Sequence, residues 1–199
     1  MLTASLRLLF SPRSAWSATA AQPPRSVSGA LIFPMVLALL PAFAWYFGTT
    51  QIGWRIGSDS TVRMTAHSAQ IIAALFYVTM IASIACIGYM IHWMALTYGA
   101  QSTVAKGIAI AGLTATPLFI AGAVGFYPLL MLDLTIGLAA LSYAIYLLYI
   151  GIPIVMQIPQ ERGFLFSSAV IAVCMVIFIA IMGGTVILWD SIAPPIFSD

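Results

Sequence analysis

Charge is what this sequence has least of. Only 6% of its residues are Asp, Glu, Lys or Arg, whereas 62% are hydrophobic; soluble domains carry about 25% charged residues. This excludes a soluble fold, because a chain of 199 residues has no interior large enough to hide so much apolar surface. A bilayer has. The net charge of +2, with no basic run, excludes the electrostatic footprint of a nucleic-acid binder. Cysteine is nearly absent. Cys86 and Cys174 both lie in apolar segments, without a CxxC or a secreted-disulfide pattern, and read as small buried hydrophobes. His67 and His92 would stand about 37 Å apart on one helix, so they form no metal site within it. There is no Walker loop, GxSxG, HExxH or Rossmann fingerprint. Glu161 and Arg162 are neighbours in a link, not a catalytic pair. No cofactor and no metal are expected, and an enzyme is the least expected class.

What the sequence does have is long apolar runs. A spanning helix needs roughly 20 apolar residues, and five such runs are legible: residues 29–48, 67–96, 106–126, 129–150 and 164–189. In hydrocarbon every backbone polar group must be bonded within its own element. The runs do not alternate as barrel strands would, so they are helices. The fold class is all-α, a polytopic membrane bundle of five helices. Ala42-Phe43-Ala44 resembles a signal-peptidase site, but the run is long enough to span, and an uncleaved helix is expected.

Residues 1–28 form a basic N-terminal segment. Leu2, Leu6, Leu9, Phe10 and Trp16 line one side of a short helix with Arg7 and Arg13 beside them, a pattern that suits the headgroup region. Residues 49–66 read as an ordered polar loop outside the bilayer core, and residues 151–163 as a link broken by Pro153 and Pro159. Tyr127-Pro128 makes a tight turn, so the third and fourth helices form an antiparallel hairpin. Residues 190–199 are a short periplasmic tail. Orientation follows from the cations: Arg7, Arg13, Arg25, Lys106 and Arg162 fall on one side, Arg55 and Arg63 on the other. The N-terminus is expected inside and the C-terminus outside.

Few residues stand out as sites. Asp133 lies just inside the fourth span, where ionisable groups are costly and often functional; its candidate partners are Arg55 and Arg63. Pro117 removes the bond to the Leu113 carbonyl and should kink the third helix, with Thr114 or Thr116 able to satisfy a freed backbone group. Gly107, Ala111 and Ala115 form a small-residue strip, continued by Ala121 and Gly125, suited to packing within the chain or to contact with another. Tyr143, Tyr146 and Tyr149 follow at three-residue steps, and Tyr143, the deepest, needs a hydrogen-bond partner.

FSPRSAW (10–16), TTQIGW (49–54), ATPLF (115–119), YLLYIGIP (146–153), FSS (166–168) and TVILW (185–189) together resemble the Yip family in its bacterial branch. The resemblance implies five membrane helices, a cytosolic N-terminus and a short tail on the far side, in a bacterial inner membrane. Eukaryotic relatives bind Rab-type GTPases and carry a longer acidic-aromatic N-terminal region. Here SPRSAW stands in that region, and Leu113 replaces an aromatic of the third-span motif, so GTPase binding is not carried over. The expected function is non-enzymatic binding of membrane lipids, other integral membrane proteins or a second copy of the chain. The alternatives are a small-solute or ion transporter built around Asp133 and the kinked helix, and an accessory subunit of a larger membrane complex.

Overall fold

The structure, a computed structural model, describes residue 8 and residues 10–23, 26–56, 60–191 and 194–198. Among these, α1 spans Pro12–Ala21, α2 Val27–Phe47, α3 Ala66–Ala95, α4 Val104–Thr114, α5 Thr116–Ala121, α6 Leu130–Met156 and α7 Gln160–Ser191. Four of these helices, α2, α3, α6 and α7, are long and apolar enough to cross a membrane. The α4–α5 pair, continued by a 3-10 turn to Phe126, makes a fifth crossing if it is one span, bent by 41°.

That bend falls where proline chemistry puts it. Pro117 lacks the N–H that would close the bond to Leu113 and clashes with the preceding turn. The helix breaks at Ala115, and α5 starts afresh with the proline in its first turn. The Thr116 hydroxyl donates to the Gly112 carbonyl at 3.4 Å, offsetting part of the loss.

α2 contains two prolines of its own, Pro34 and Pro41. Seven residues apart, they share one face of the helix, and that face meets the glycines of the bent span. A β-carbon at Gly112 would lie 3.1 Å from the Pro34 ring, and one at Gly122 would run into Pro41. Further along the same face, Trp45 covers Gly125, whose β-carbon would lie 2.7 Å from the indole, and Gly48 abuts the Gly125 carbonyl. Rings on one helix thus fill the gaps left by missing side chains on the other, which is how helices approach closely without a hydrophobic drive between them. The small-residue strip works the same way on its other side. Gly107 meets the backbone of Gly88 on α3, and Ala111 is buried.

Three segments differ from the sequence expectation. Trp16 does not face outward from the protein; it is fully buried, with Leu8 beside it in the core. Its ring lies on Gly151 of α6, where a β-carbon would come within 2.5 Å. Phe10 is exposed, and Leu2, Leu6, Arg7 and Leu9 lie outside the described residues. The expected polar loop contains regular secondary structure. After a π turn at Gly48–Ile52, β1 (Trp54–Ile56) and β2 (Ser60–Met64) pair antiparallel, and β3 (Phe197–Ser198) from the tail adds to β2. The expected link at 151–163 shrinks to residues 157–159. Pro153 is carried inside α6 because the apolar run continues through Met156, and its ring packs on Gly163. Gln157 then ends the helix in the left-handed region at φ 54°.

The core sits toward the α1 end of the bundle. Ile91, Ile108, Leu113, Leu147, Ile152 and Phe166 are fully buried there. Tyr98 stacks on Phe166 with ring centroids 4.8 Å apart, and the Arg162 guanidinium lies over Gly99, fixing the start of α7 to the end of α3. Over their most apolar stretches α3 and α7 bury far less of themselves than α2 and α6 do.

Candidate functional site

Where α3 and α7 separate, a cavity of about 540 Å³ opens between them and the end of α2. On α3 its lining runs from Ala69 through Ala73 and Phe76 to Thr79, and on α7 from Ile181 to Trp189. Residues at i, i+4 and i+7 share a helix face, so each wall is one continuous strip. The small Ala69 and Ala73 leave the space, because larger side chains there would close the gap to α7.

The β-sheet roofs the cavity. Trp54 of β1, Met64 of β2 and Phe197 of β3 all line it. Trp54 and Phe197 meet edge to face at 6.0 Å between centroids. The tail is held there by backbone bonds: Thr65 N–H donates to the Ile196 carbonyl at 2.9 Å, and Ile196 N–H donates to Ser68 Oγ at 3.1 Å. Two of the hydroxyls on the walls are already used. Thr49 Oγ1 donates to the Trp45 carbonyl and Thr185 Oγ1 to the Ile181 carbonyl, each at 2.8 Å. Beside them the lining is mostly hydrocarbon and indole, with the Tyr46 and Thr79 hydroxyls as further polar groups, and it suits an apolar ligand.

A second, open groove lies on the other side of the α2–α3 seam, lined by Leu39, Phe43, Gln70 and Tyr77 among others. Tyr46 and Ala73 border both spaces.

The residues singled out from sequence are scattered rather than assembled. Asp133 is half-buried in the first turn of α6. Among the described residues its carboxylate makes no hydrogen bond or ion pair. Arg63 is exposed on β2 and makes an interaction of its own; the side chain of Arg55, on β1, lies outside the described residues. Tyr143 has found its partner, donating to the Leu8 carbonyl at 2.8 Å. The Tyr149 and Ser168 hydroxyls are hydrogen-bonded at 2.9 Å. Trp16 Nε1, His92 Nδ1 and Thr114 Oγ1 are buried with no hydrogen-bond partner among the described residues, and they lie on three different helices. The described residues hold no group of three or more His, Cys, Asp or Glu that could bind a metal.

The sequence reading did not identify the cavity, although its signal was present. TTQIGW contributes Thr49 and Trp54, and TVILW contributes Thr185, Leu188 and Trp189. Two of the six stretches that carry the family resemblance therefore meet at this one space. FSPRSAW and YLLYIGIP meet where Trp16 covers Gly151, and ATPLF forms the bend.

The Yip1 domain family matches residues 6–181 of this chain. The inner membrane protein YohC of Escherichia coli strain K12 is 39% identical over 155 residues, 78% of this chain and 80% of that protein. Its counterpart in Escherichia coli O6:H1 matches with the same figures. No solved structure matches.

Proposed function

Since the chain belongs to the Yip family, we propose that it is a multi-pass inner-membrane protein with no reaction of its own, acting by binding lipid or another membrane protein. The bundle crosses the membrane five times, with the bent α4–α5 pair as one crossing, and the N-terminus is cytosolic. The inner-membrane location rests on the name of the Escherichia coli relative together with the apolar helices of this chain.

The observation that carries the binding function is the roofed apolar cavity between α2, α3 and α7. It has the size of an ordinary ligand site, about 300–1,000 Å³. A transporter of polar solutes would instead place ionisable groups and a polar space near the midplane. Asp133 sits one turn from the end of α6, and the walls of the cavity are apolar.

The test is in-cell photocrosslinking with a photoreactive residue at Ala73, and at Leu138 on the exposed face of α6 as control. Mass spectrometry should find a defined lipid or protein adduct at Ala73 and only diffuse labelling at Leu138. An ion or solute flux that reconstituted protein supports and that Asp133→Asn abolishes would contradict the binding function.

A further inference from the structure

We propose that the cavity holds one acyl chain of a phospholipid from the leaflet on the side of the β-sheet. This rests on the binding function above and names its ligand. Four observations lead to it.

The first is shape. The α3 wall runs from Ala69 to Thr79, about 15 Å at 1.5 Å per residue. That is one half of a hydrocarbon core of about 30 Å. The cavity is therefore a slot lying along the helices, as deep as one leaflet, with its lining ending near Thr79 and Ile181. A chain that traverses one leaflet matches it in length and direction.

The second is chemistry. The hydroxyls of Thr49 and Thr185 are bonded to carbonyls of their own helices, so apart from the Tyr46 and Thr79 hydroxyls the slot offers an incoming group apolar contact. An acyl chain asks for nothing else.

The third is access. The sheet lines one end of the slot with Trp54, Met64 and Phe197, and on this proposal the ligand enters sideways, from the bilayer. Trp45, Trp54 and Trp189 stand around the upper part of the slot, at the depth where indoles favour the membrane interface. A headgroup at that level leaves its chain beside the opening.

The fourth concerns the second chain of the same lipid. The open groove across the α2–α3 seam shares Tyr46 and Ala73 with the slot. A diacyl lipid straddling that seam places one chain in each space, with its polar part near Gln70, which is exposed at the groove. A single-chain fatty acid would leave the groove empty.

Native mass spectrometry of the full chain, delipidated in detergent and titrated with palmitoyl-oleoyl phosphatidylglycerol or with palmitate, tests this. The unmodified protein should take up one phospholipid tightly and palmitate weakly. Ala73→Trp fills the slot from α3 and Ile181→Trp fills it from α7; each should lower phospholipid occupancy at least about tenfold. Leu138→Trp, on a lipid-facing surface, should leave occupancy unchanged. Circular dichroism and the melting temperature show which variants fold, and either cavity variant alone suffices. Equal occupancy in a folded cavity variant and in the unmodified protein would overturn the acyl-chain assignment. So would tighter binding of palmitate than of phospholipid. If the assignment fails while Ala73 still crosslinks a membrane protein in cells, the broader binding function survives it.

Discussion

At Gly107 a β-carbon would run into the carbonyl of Gly88, and at Gly88 it would meet the Cα of Ile108 at 2.5 Å. Neither obstacle is a flexible side chain. Overpacking a fixed contact costs about 1–3 kcal/mol, so Gly107→Leu should lower the unfolding midpoint in a denaturing-detergent titration clearly. Gly137→Leu should not, because nothing lies within 4 Å of a β-carbon there. The strip of Gly107, Ala111 and Ala115 was legible in the sequence; what it packs against was not, because a small-residue pattern is the same whether its partner is in the chain or outside it. Asp133 shows a different limit. Its place near the start of the fourth long helix was readable, and the first turn of α6 gives a carboxylate the favourable end of the helix dipole. Asp133→Asn should therefore cost at most about 1 kcal/mol and leave cysteine accessibility at both membrane faces unchanged. A large loss of stability would show that the carboxylate has a charged partner.

At the scale of elements, β3 and the roof it completes escaped the sequence. β1 has three residues, β2 five and β3 two, too short for a period-2 pattern, and β3 joins from the opposite end of the chain. No local signal can report such a pairing. The long helices were readable because hydrocarbon permits little else, but the end of α6 and the start of α7 were not. Pro153 signals a stop in water and is tolerated within α6, where the run stays apolar. Tail and hairpin depend on one another through the Thr65–Ile196 and Ile196–Ser68 bonds. Truncation before Pro194 should accelerate amide exchange at residues 60–68 and leave residues 104–114 as protected as before. Equal protection at 60–68 would show that the hairpin stands without the tail.

At the scale of the whole molecule, cations distinguish the two ends. Arg13, Lys106 and Arg162 lie at the α1 end, on α1 and the first turns of α4 and α7, while Arg55 and Arg63 lie on the hairpin at the other. Under the positive-inside rule a reporter fused after Arg162 should read cytosolic and one at Asp199 periplasmic; the reverse would invert the bundle. The two ends also differ in packing. One is knit together by Trp16 on Gly151 and Tyr98 on Phe166; the other opens between α3 and α7 under the sheet. The tight end holds the chain together, and the open end is where the proposed binding function puts a membrane component. Electron cryomicroscopy of the full chain in a phospholipid nanodisc, with a bound antibody fragment as fiducial, tests this most directly. The account predicts a continuous tube of density between α3 and α7, beneath the Trp54–Phe197 pair and reaching down to Thr79. A space closed by the side chains of α7 packing onto Ala69 and Ala73, with no such density, would contradict it.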